Sequence, residues 1–180
     1  MPNIFVKIFK TPRNIIPVPE TDLAQAEVVA IGKKIDARVK RFFHGSLAIR
    51  QIDAGSDNAC EQELTALTNS FYDIERFGIH FVASPRHADM LLVTGPLTRN
   101  MAEAVKRAYE ATPDPKIVVA VGDDAIDGGI YKDGYAVLGG VDSILPVDYQ
   151  IPGDPPSAKT ILIALLKILE NADTVPAKLK

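Results

Sequence analysis

The sequence predicts an α/β fold in which an N-terminal arm and helix precede a doubly wound parallel sheet of four or five strands. Met90–Thr94 and Ile117–Val121 are almost entirely apolar, as expected of strands that are covered on both faces. Segments with apolar residues at helical spacing alternate with such runs. This alternation is typical of parallel strands joined by right-handed crossovers.

Residues 1–45 are predicted to form an N-terminal docking arm and a basic amphipathic helix. Ile4–Phe9 alternates like a short strand, and several prolines then interrupt regular structure. The helix is predicted for residues 22–43, with an apolar stripe at every third or fourth position: Val28, Ile31, Ile35, Val39 and Phe42. Lysines and arginines crowd the remaining surface. This helix either faces a membrane surface or an acidic partner, or packs its stripe on its own domain.

Residues 46–172 are predicted to form the flavodoxin-like domain, followed by a loose tail at 173–180. The predicted strands are Leu47–Ile52, Ile79–Ala83, Met90–Thr94, Ile117–Val121 and Ile144–Val147, and the predicted helices are 60–76, 99–111 and 157–171. Residues 122–140 are expected to be irregular because they are rich in glycine. Five strands suit the order 2-1-3-4-5, but the short connection between the second and third strands leaves their relative position open.

The length, net charge and cysteine count exclude several classes of protein. A chain of 180 residues can bury the core of one domain. Its net charge of −3 argues against nucleic-acid binding, for which a basic balance is expected. Its single cysteine excludes internal disulfides and a metal site built mainly from its own thiolates. We recognise no signal peptide and no apolar run long enough to cross a membrane, so we expect a soluble or peripheral chain.

Three loops that contain glycine and aspartate stand out: Ala54–Glu61, Val121–Gly129 and Ile151–Pro156. Each follows a run of β-forming residues. Because the carboxyl ends of parallel strands meet at one edge of a sheet, where such folds bind ligands, these loops are expected to build one site there.

A longer pattern resembles one protein family. It comprises Ala83–Met101, Gly128–Tyr131, Leu145–Asp148 and Ile151–Pro156, in this order. These segments resemble the 20-kDa subunit of respiratory complex I and its relatives, the small subunits of membrane-bound nickel–iron hydrogenases and formate hydrogenlyases. Ile49–Ser56 resembles the hydrogenase branch in particular. The resemblance covers roughly residues 45–170.

This resemblance implies a flavodoxin-like domain with one 4Fe–4S cluster that relays electrons between a catalytic large subunit and other redox centres. The ligand positions that it implies are Asp57, Cys60, Asp124 and Asp154, of which only Cys60 is a cysteine. Cluster iron requires soft thiolate ligands, so one thiol and three hard carboxylates form a poor cage. We therefore expect no conventional cluster here, and without it the relay role fails.

The aspartates admit three interpretations. Asp57, Asp124 and Asp154 could hold a hard divalent cation, or they could share protons. The third interpretation is structural. Asp154 would cap the last helix, Asp57 would lie beside a helix N-terminus and Asp124 would stabilise its own turn. Asn58 and Glu61 also have the spacing of a capping box.

Cys60 is either a residual ligand or reactive thiol at a helix start, where its pKa would fall, or a small buried hydrophobe. The histidines His44, His80 and His87 have no metal-ligand spacing. Arg86 and His87 are expected beside the crevice, in contact with a partner subunit. No nucleophile–base arrangement, P-loop or dinucleotide fingerprint is recognised.

Together these features predict a cluster-less, non-catalytic small subunit of a membrane-associated complex related to energy-converting hydrogenase, formate hydrogenlyase or complex I. It would couple a hydrogenase-like or complex I 49-kDa-like large subunit to membrane-arm subunits, structurally or conformationally, from the cytoplasmic side of the membrane. The alternative is an electron-transfer subunit that holds an unusual metal centre.

Overall fold

The computed structural model describes residues 14–15 and 24–171, with side chains for 24–171. The predicted strand Ile4–Phe9, most of the predicted arm and the predicted tail lie outside these residues.

The described chain alternates strands and helices almost throughout. The strands are β1 (Asn14–Ile15), β2 (Leu47–Asp53), β3 (Ile79–Phe81), β4 (Met90–Thr94), β5 (Ile117–Val121) and β6 (Tyr149–Ile151). The helices are α1 (Gln25–Phe42), α2 (Ala59–Ala66), α3 (Arg99–Ala111), α4 (Asp123–Asp127) and α5 (Ala158–Asn171). Short 3₁₀ turns lie at Ile74–Phe77, Pro85–His87, Gly129–Tyr131 and Val141–Ser143. No helix in this part of the chain is both long and apolar enough to cross a bilayer.

The sheet is parallel throughout and has the order β1-β6-β5-β4-β2-β3. Without the short β1, this is the predicted flavodoxin-like order, which is confirmed. The open question about β3 and β4 is also answered, because β2 lies between them. Their short connection crosses β2 near Ile49, which pairs with Phe81 on one side and with Met90 on the other.

Two hydrophobic cores cover the two faces of the sheet. Alternate residues of β4 divide between them, with Met90 and Leu92 in one core and Leu91 and Val93 in the other. Helices α1, α2 and α5 cover the first face, and α3 and α4 cover the second. Burial on both faces explains why the central strands have no polar alternation.

Helix α1 is part of the first core. Val28, Ile35 and Val39 are fully buried and belong to the same cluster as the apolar residues of α5. The apolar stripe therefore packs on its own domain, as the structural alternative predicted. Lys33, Lys34 and other basic residues of the opposite face are exposed.

Three local predictions were wrong. Ile144–Val147 is not a strand, and the last strand begins at Tyr149, although Leu145 and Val147 are buried. The helix predicted for 60–76 ends at Ala66, because the Asn69 side chain accepts hydrogen bonds from the amides of the following turn and competes with helical pairing. The glycine-rich segment also contains a short helix, α4.

We predict that Gly32→Ala destabilises the domain although alanine favours helices by about 1 kcal/mol. A Cβ at Gly32, in the middle of α1, would collide with the buried ring of Phe77. Overpacking of this kind costs about 1–3 kcal/mol, measurable by urea unfolding.

The double variant Gly32→Ala/Phe77→Ala should lose less stability than the sum of the two single variants, because the collision is absent. Additive losses would show that the ring does not limit the approach of α1.

Candidate functional site

The strand register brings the aspartate-bearing loops together. Asp53 pairs with Thr94, Thr94 with Val121, and Val121 with Ile151, so β2, β4, β5 and β6 end side by side. The loops that follow β2, β5 and β6 leave from this one edge and carry Asp57, Asp124 and Asp154. The predicted convergence at the carboxyl ends of the strands is therefore present.

The first loop is held by its own carboxylates. The Oδ1 of Asp53 accepts hydrogen bonds of 2.7 Å from the amides of Gly55 and Ser56. The Oδ1 of Asp57 accepts one of 2.9 Å from the amide of Ala59, the first residue of α2. Asp57 thus lies beside a helix N-terminus, as the structural interpretation expected, and its side chain is exposed.

Cys60 is buried at the floor of the site, with 6% of its surface exposed. A Cβ on Gly122 would come within 2.6 Å of the Cys60 Sγ, so the loop after β5 packs directly on the sulfur. Burial, followed by the charges of Glu61 and Asp124, raises the pKa of the thiol to about 12. Of the two alternatives for Cys60, the structure agrees with the small buried hydrophobe, because burial and the surrounding carboxylates disfavour the thiolate and no fall in the pKa follows.

Asp124 lies in the same floor and is 6% exposed. Its Oδ1 is buried against Gly129 and has no hydrogen-bond partner among the described residues. Burial, followed by the charges of Asp154 and Asp57, raises the pKa of Asp124 from 3.8 to about 6. The interpretation in which Asp124 stabilises its own turn stays a prediction, and the amide of Gly129 donates its hydrogen bond to the neighbouring Asp127.

Asp154 lies on the exposed rim. The prediction that it caps the last helix was wrong, because α5 begins at Ala158 and the Ser157 hydroxyl accepts a hydrogen bond from the amide of Thr160. The amide of Ala158 donates to Glu63. Asp154 therefore projects charge toward the site without a capping role.

Tyr131 borders the same cluster from the glycine-rich segment. The charge of Asp57, with lesser effects of desolvation and of Asp124 and Asp154, raises the pKa of its hydroxyl, and a hydrogen bond with Asp57 adds to the shift. The residues predicted from the sequence thus influence one another electrostatically.

Glu61 has a role that the sequence did not reveal. Asn58 does not cap α2 through its side chain, so the predicted capping box was wrong. The two carboxylate oxygens of Glu61 instead accept hydrogen bonds from Thr94, at the end of β4, and from Ser56, at 2.6 Å. Glu61 therefore fastens the first loop to the central strand. Only the tertiary contact between α2 and β4 could have identified it.

A pocket of about 340 Å³ opens beside the cluster. The residues that line it include three acidic ones, Asp123, Asp127 and Asp154, together with Lys132 and Ile130. Asp123 also accepts a 2.9 Å hydrogen bond from the amide of Gly153, which ties the loops after β5 and β6 together.

The donor set does not fit a 4Fe–4S cluster. It offers one thiol where a cluster needs four soft ligands, and the other three positions are carboxylates, which are hard ligands. Within residues 24–171, no three histidine, cysteine or acidic side chains are arranged to hold a metal ion. The cation interpretation of Asp57, Asp124 and Asp154 stays a prediction.

Arg86 and His87 lie away from this site. Their 3₁₀ turn precedes β4 and lies beside the amino-terminal half of the sheet, whereas the aspartates follow the carboxyl ends. Their expected place beside the crevice was wrong, because the connection from β3 to β4 stays near the level of Ile49.

Comparison with known proteins identifies the family. The model of the NADH ubiquinone oxidoreductase 20 kDa subunit family matches residues 58–168. A protein of Methanocaldococcus jannaschii is 48% identical over 71% of this chain and 85% of its own length. Formate hydrogenlyase subunit 7 of Escherichia coli is 42% identical over 83% of this chain, which spans 56% of that protein. A probable membrane-bound hydrogenase subunit of Pyrococcus furiosus is 41% identical over 77% of this chain and 85% of its own length.

Solved structures agree with this assignment. A chain of an archaeal membrane-bound sulfane sulfur reductase, a respiratory membrane complex, superposes with a TM-score of 0.65 at 31% identity, over 87% of this chain and 80% of its own. The [NiFeSe] hydrogenase of Desulfovibrio vulgaris Hildenborough shares the fold, with a TM-score of 0.51 at 16% identity over 72% of this chain and 61% of its own. The chain belongs to the 20 kDa subunit family, and the predicted resemblance is confirmed.

We predict that Asp124→Asn stabilises the isolated chain near pH 8. The pKa of Asp124 is raised in the folded state, so this group does not destabilise the fold below about pH 4 and destabilises it increasingly as the pH rises through about 6. Asparagine has the same shape and avoids this loss. Partial screening at the open rim limits the gain to on the order of 2 kcal/mol.

Urea unfolding of both proteins at pH 4 and pH 8 measures the effect, and the difference between them should shrink toward zero at pH 4. Asp133→Asn, on an exposed loop, is the control and should change stability by less than about 0.5 kcal/mol. Destabilisation by Asp124→Asn at pH 8 would show that the ionised carboxylate is needed for folding.

Proposed function

We propose that this chain is a peripheral subunit of a membrane-associated complex related to membrane-bound hydrogenases and complex I, and that it acts without an iron–sulfur cluster. The relatives support the first part, since they are named as subunits of formate hydrogenlyase and of a membrane-bound hydrogenase. The solved relative with a TM-score of 0.65 comes from a respiratory membrane complex.

One observation supports the proposal that this chain acts without an iron–sulfur cluster. The four positions implied as cluster ligands meet at one edge of the sheet, yet they supply one buried thiol and three carboxylates. The architecture of the site is retained while its ligand chemistry is not. A relay that passes electrons through this subunit is therefore not expected.

The remaining role is structural or conformational. The chain would seat a large-subunit homologue, of the hydrogenase or complex I 49-kDa type, on the membrane-arm subunits at the cytoplasmic face. Such a role requires no redox group. An interface that has two packing arrangements can transmit a conformational change from the large subunit to the membrane-arm subunits by itself.

Restoring the missing thiolates tests the ligand assignment. After anaerobic incubation with iron and sulfide, the triple variant Asp57→Cys/Asp124→Cys/Asp154→Cys should bind about four iron atoms per chain, because it then offers four thiolates. The wild-type chain should bind fewer than about one. Iron and acid-labile sulfide analysis gives the counts.

A matched control places the same number of new cysteines at neighbouring carboxylates: Asp123→Cys, Asp127→Cys and Asp133→Cys. It should bind no defined cluster. Iron and sulfide bound to the wild-type subunit in its native complex would contradict the proposal and favour an electron-transfer subunit with an unusual metal centre.

Membership of a complex is tested separately. We expect an affinity-tagged chain expressed in its source cells to co-purify, from detergent-solubilised membranes, with a hydrogenase-type large subunit and with integral membrane subunits. Mass spectrometry of the purified material identifies them. Recovery of the chain alone, as a monomer, would overturn the proposed function.

A further inference from the structure

The site concentrates negative charge that the described chain does not balance. Asp57 and Asp154 form an exposed rim, Asp124 lies in the floor, and Asp123 and Asp127 line the adjoining pocket. Among the residues that the structure describes, Lys132 is the single basic residue that lines this pocket. Carboxylates gathered at one site repel one another unless a cation or a proton lies between them.

Asp124 supplies an independent sign of a missing partner. Its side chain is 6% exposed, and its buried Oδ1 has no hydrogen-bond donor among the described residues. A buried acceptor without a donor costs about 1–3 kcal/mol, so such atoms normally have partners. This oxygen lies against Gly129, which lines the adjoining pocket, so the unpartnered atom borders the acidic site.

The surface around the pocket resembles an interface. Ile130, at 79% exposed, and Tyr135, at 93% exposed, lie in the segment that borders the acidic site, and Leu138 is 38% exposed. A contiguous exposed apolar patch marks a protein contact, and Ile130 itself lines the pocket. The site therefore combines an apolar border with an acidic centre.

We propose that a basic side chain of a partner protein, an arginine by preference, inserts among Asp57, Asp124 and Asp154 while the partner's apolar surface covers Ile130 and Tyr135. This inference rests on the proposed function, because it identifies how a neighbouring subunit of the complex engages this chain.

The chemistry favours a side-chain cation over a metal ion. No group of three ligands is arranged for a metal ion within residues 24–171, and a metal requires oxygens within a short, fixed distance. A guanidinium instead presents five donors in a planar fork and can bridge carboxylates that lie farther apart. It is also less strongly hydrated than an ammonium, which suits the buried oxygen of Asp124.

The test uses the native complex, purified through a tagged copy of this chain. Asp124→Asn and Asp154→Asn should each accelerate dissociation of the partner subunit in a salt-wash assay by about tenfold or more, because a charge pair at an interface is lost. The control Glu110→Gln removes an exposed carboxylate at the end of α3, near the amino-terminal ends of the strands and away from the site. This variant should dissociate like the wild type.

The double variant Ile130→Ser/Tyr135→Ser tests the apolar border. It should weaken the complex to the same extent at low and at high salt concentration.

Each variant is first checked for a wild-type thermal transition as a free chain. The rim variant Asp154→Asn keeps the test valid if Asp124→Asn does not fold. A cryo-electron microscopy map of the wild-type complex should show a partner's arginine or lysine within about 4 Å of the Asp124 carboxylate.

Three results would overturn the inference while the proposed function stands: aspartate variants that dissociate like Glu110→Gln, a metal ion in the site, or solvent alone in the site. Failure of the wild-type chain to co-purify with any hydrogenase-type subunit would instead overturn the proposed function. The two outcomes are therefore distinguishable.

Discussion

The parallel pairing of β2, β4, β5 and β6 is the constraint on which the site depends. Because these strands end in register, the loops that follow them start from one line and must pack tightly on one another. Gly122, at φ +90°, and Gly153, at φ +137°, allow this approach. A Cβ would come within 2.6 Å of the Cys60 sulfur at the first position and within 2.7 Å of Pro156 at the second. The backbone therefore fixes the site before any ligand arrives.

Within this frame, Asp124 is a source of instability. Folding removes its carboxyl group from water, leaves one oxygen without a donor and holds it near other carboxylates, all of which favour the neutral acid. An apolar residue at position 124 would destabilise the folded chain less. Groups that are held in such unfavourable surroundings are concentrated at functional sites, which is why the cluster is more informative than its exposed neighbours.

The chain shares the fold of its family but differs at the positions that the resemblance implies as cluster ligands. The chain keeps the fold of its family and the convergence of the implied ligand positions, while hard carboxylates stand where the resemblance expects thiolates. A fold can host different functions because function resides in the side chains at a site. The hard carboxylates of this chain suit the charge-based contact with a partner that we propose.

The sequence by itself determined the alternation of parallel strands with helices, the apolar stripe of α1 and the loops that carry Asp57, Cys60, Asp124 and Asp154, because these follow from local periodicity and from motifs in a fixed order. The position of β3 relative to β4 and the surface on which α1 packs depended on the tertiary structure. Only the tertiary structure decided what each residue does. The bonds from Glu61 to Thr94 and Ser56, the burial of the Asp124 oxygen and the raised pKa of the thiol arise between segments that are distant in the chain. Hydrogen-bond partners and desolvation depend on what surrounds a side chain in space, and sequence spacing does not specify these surroundings.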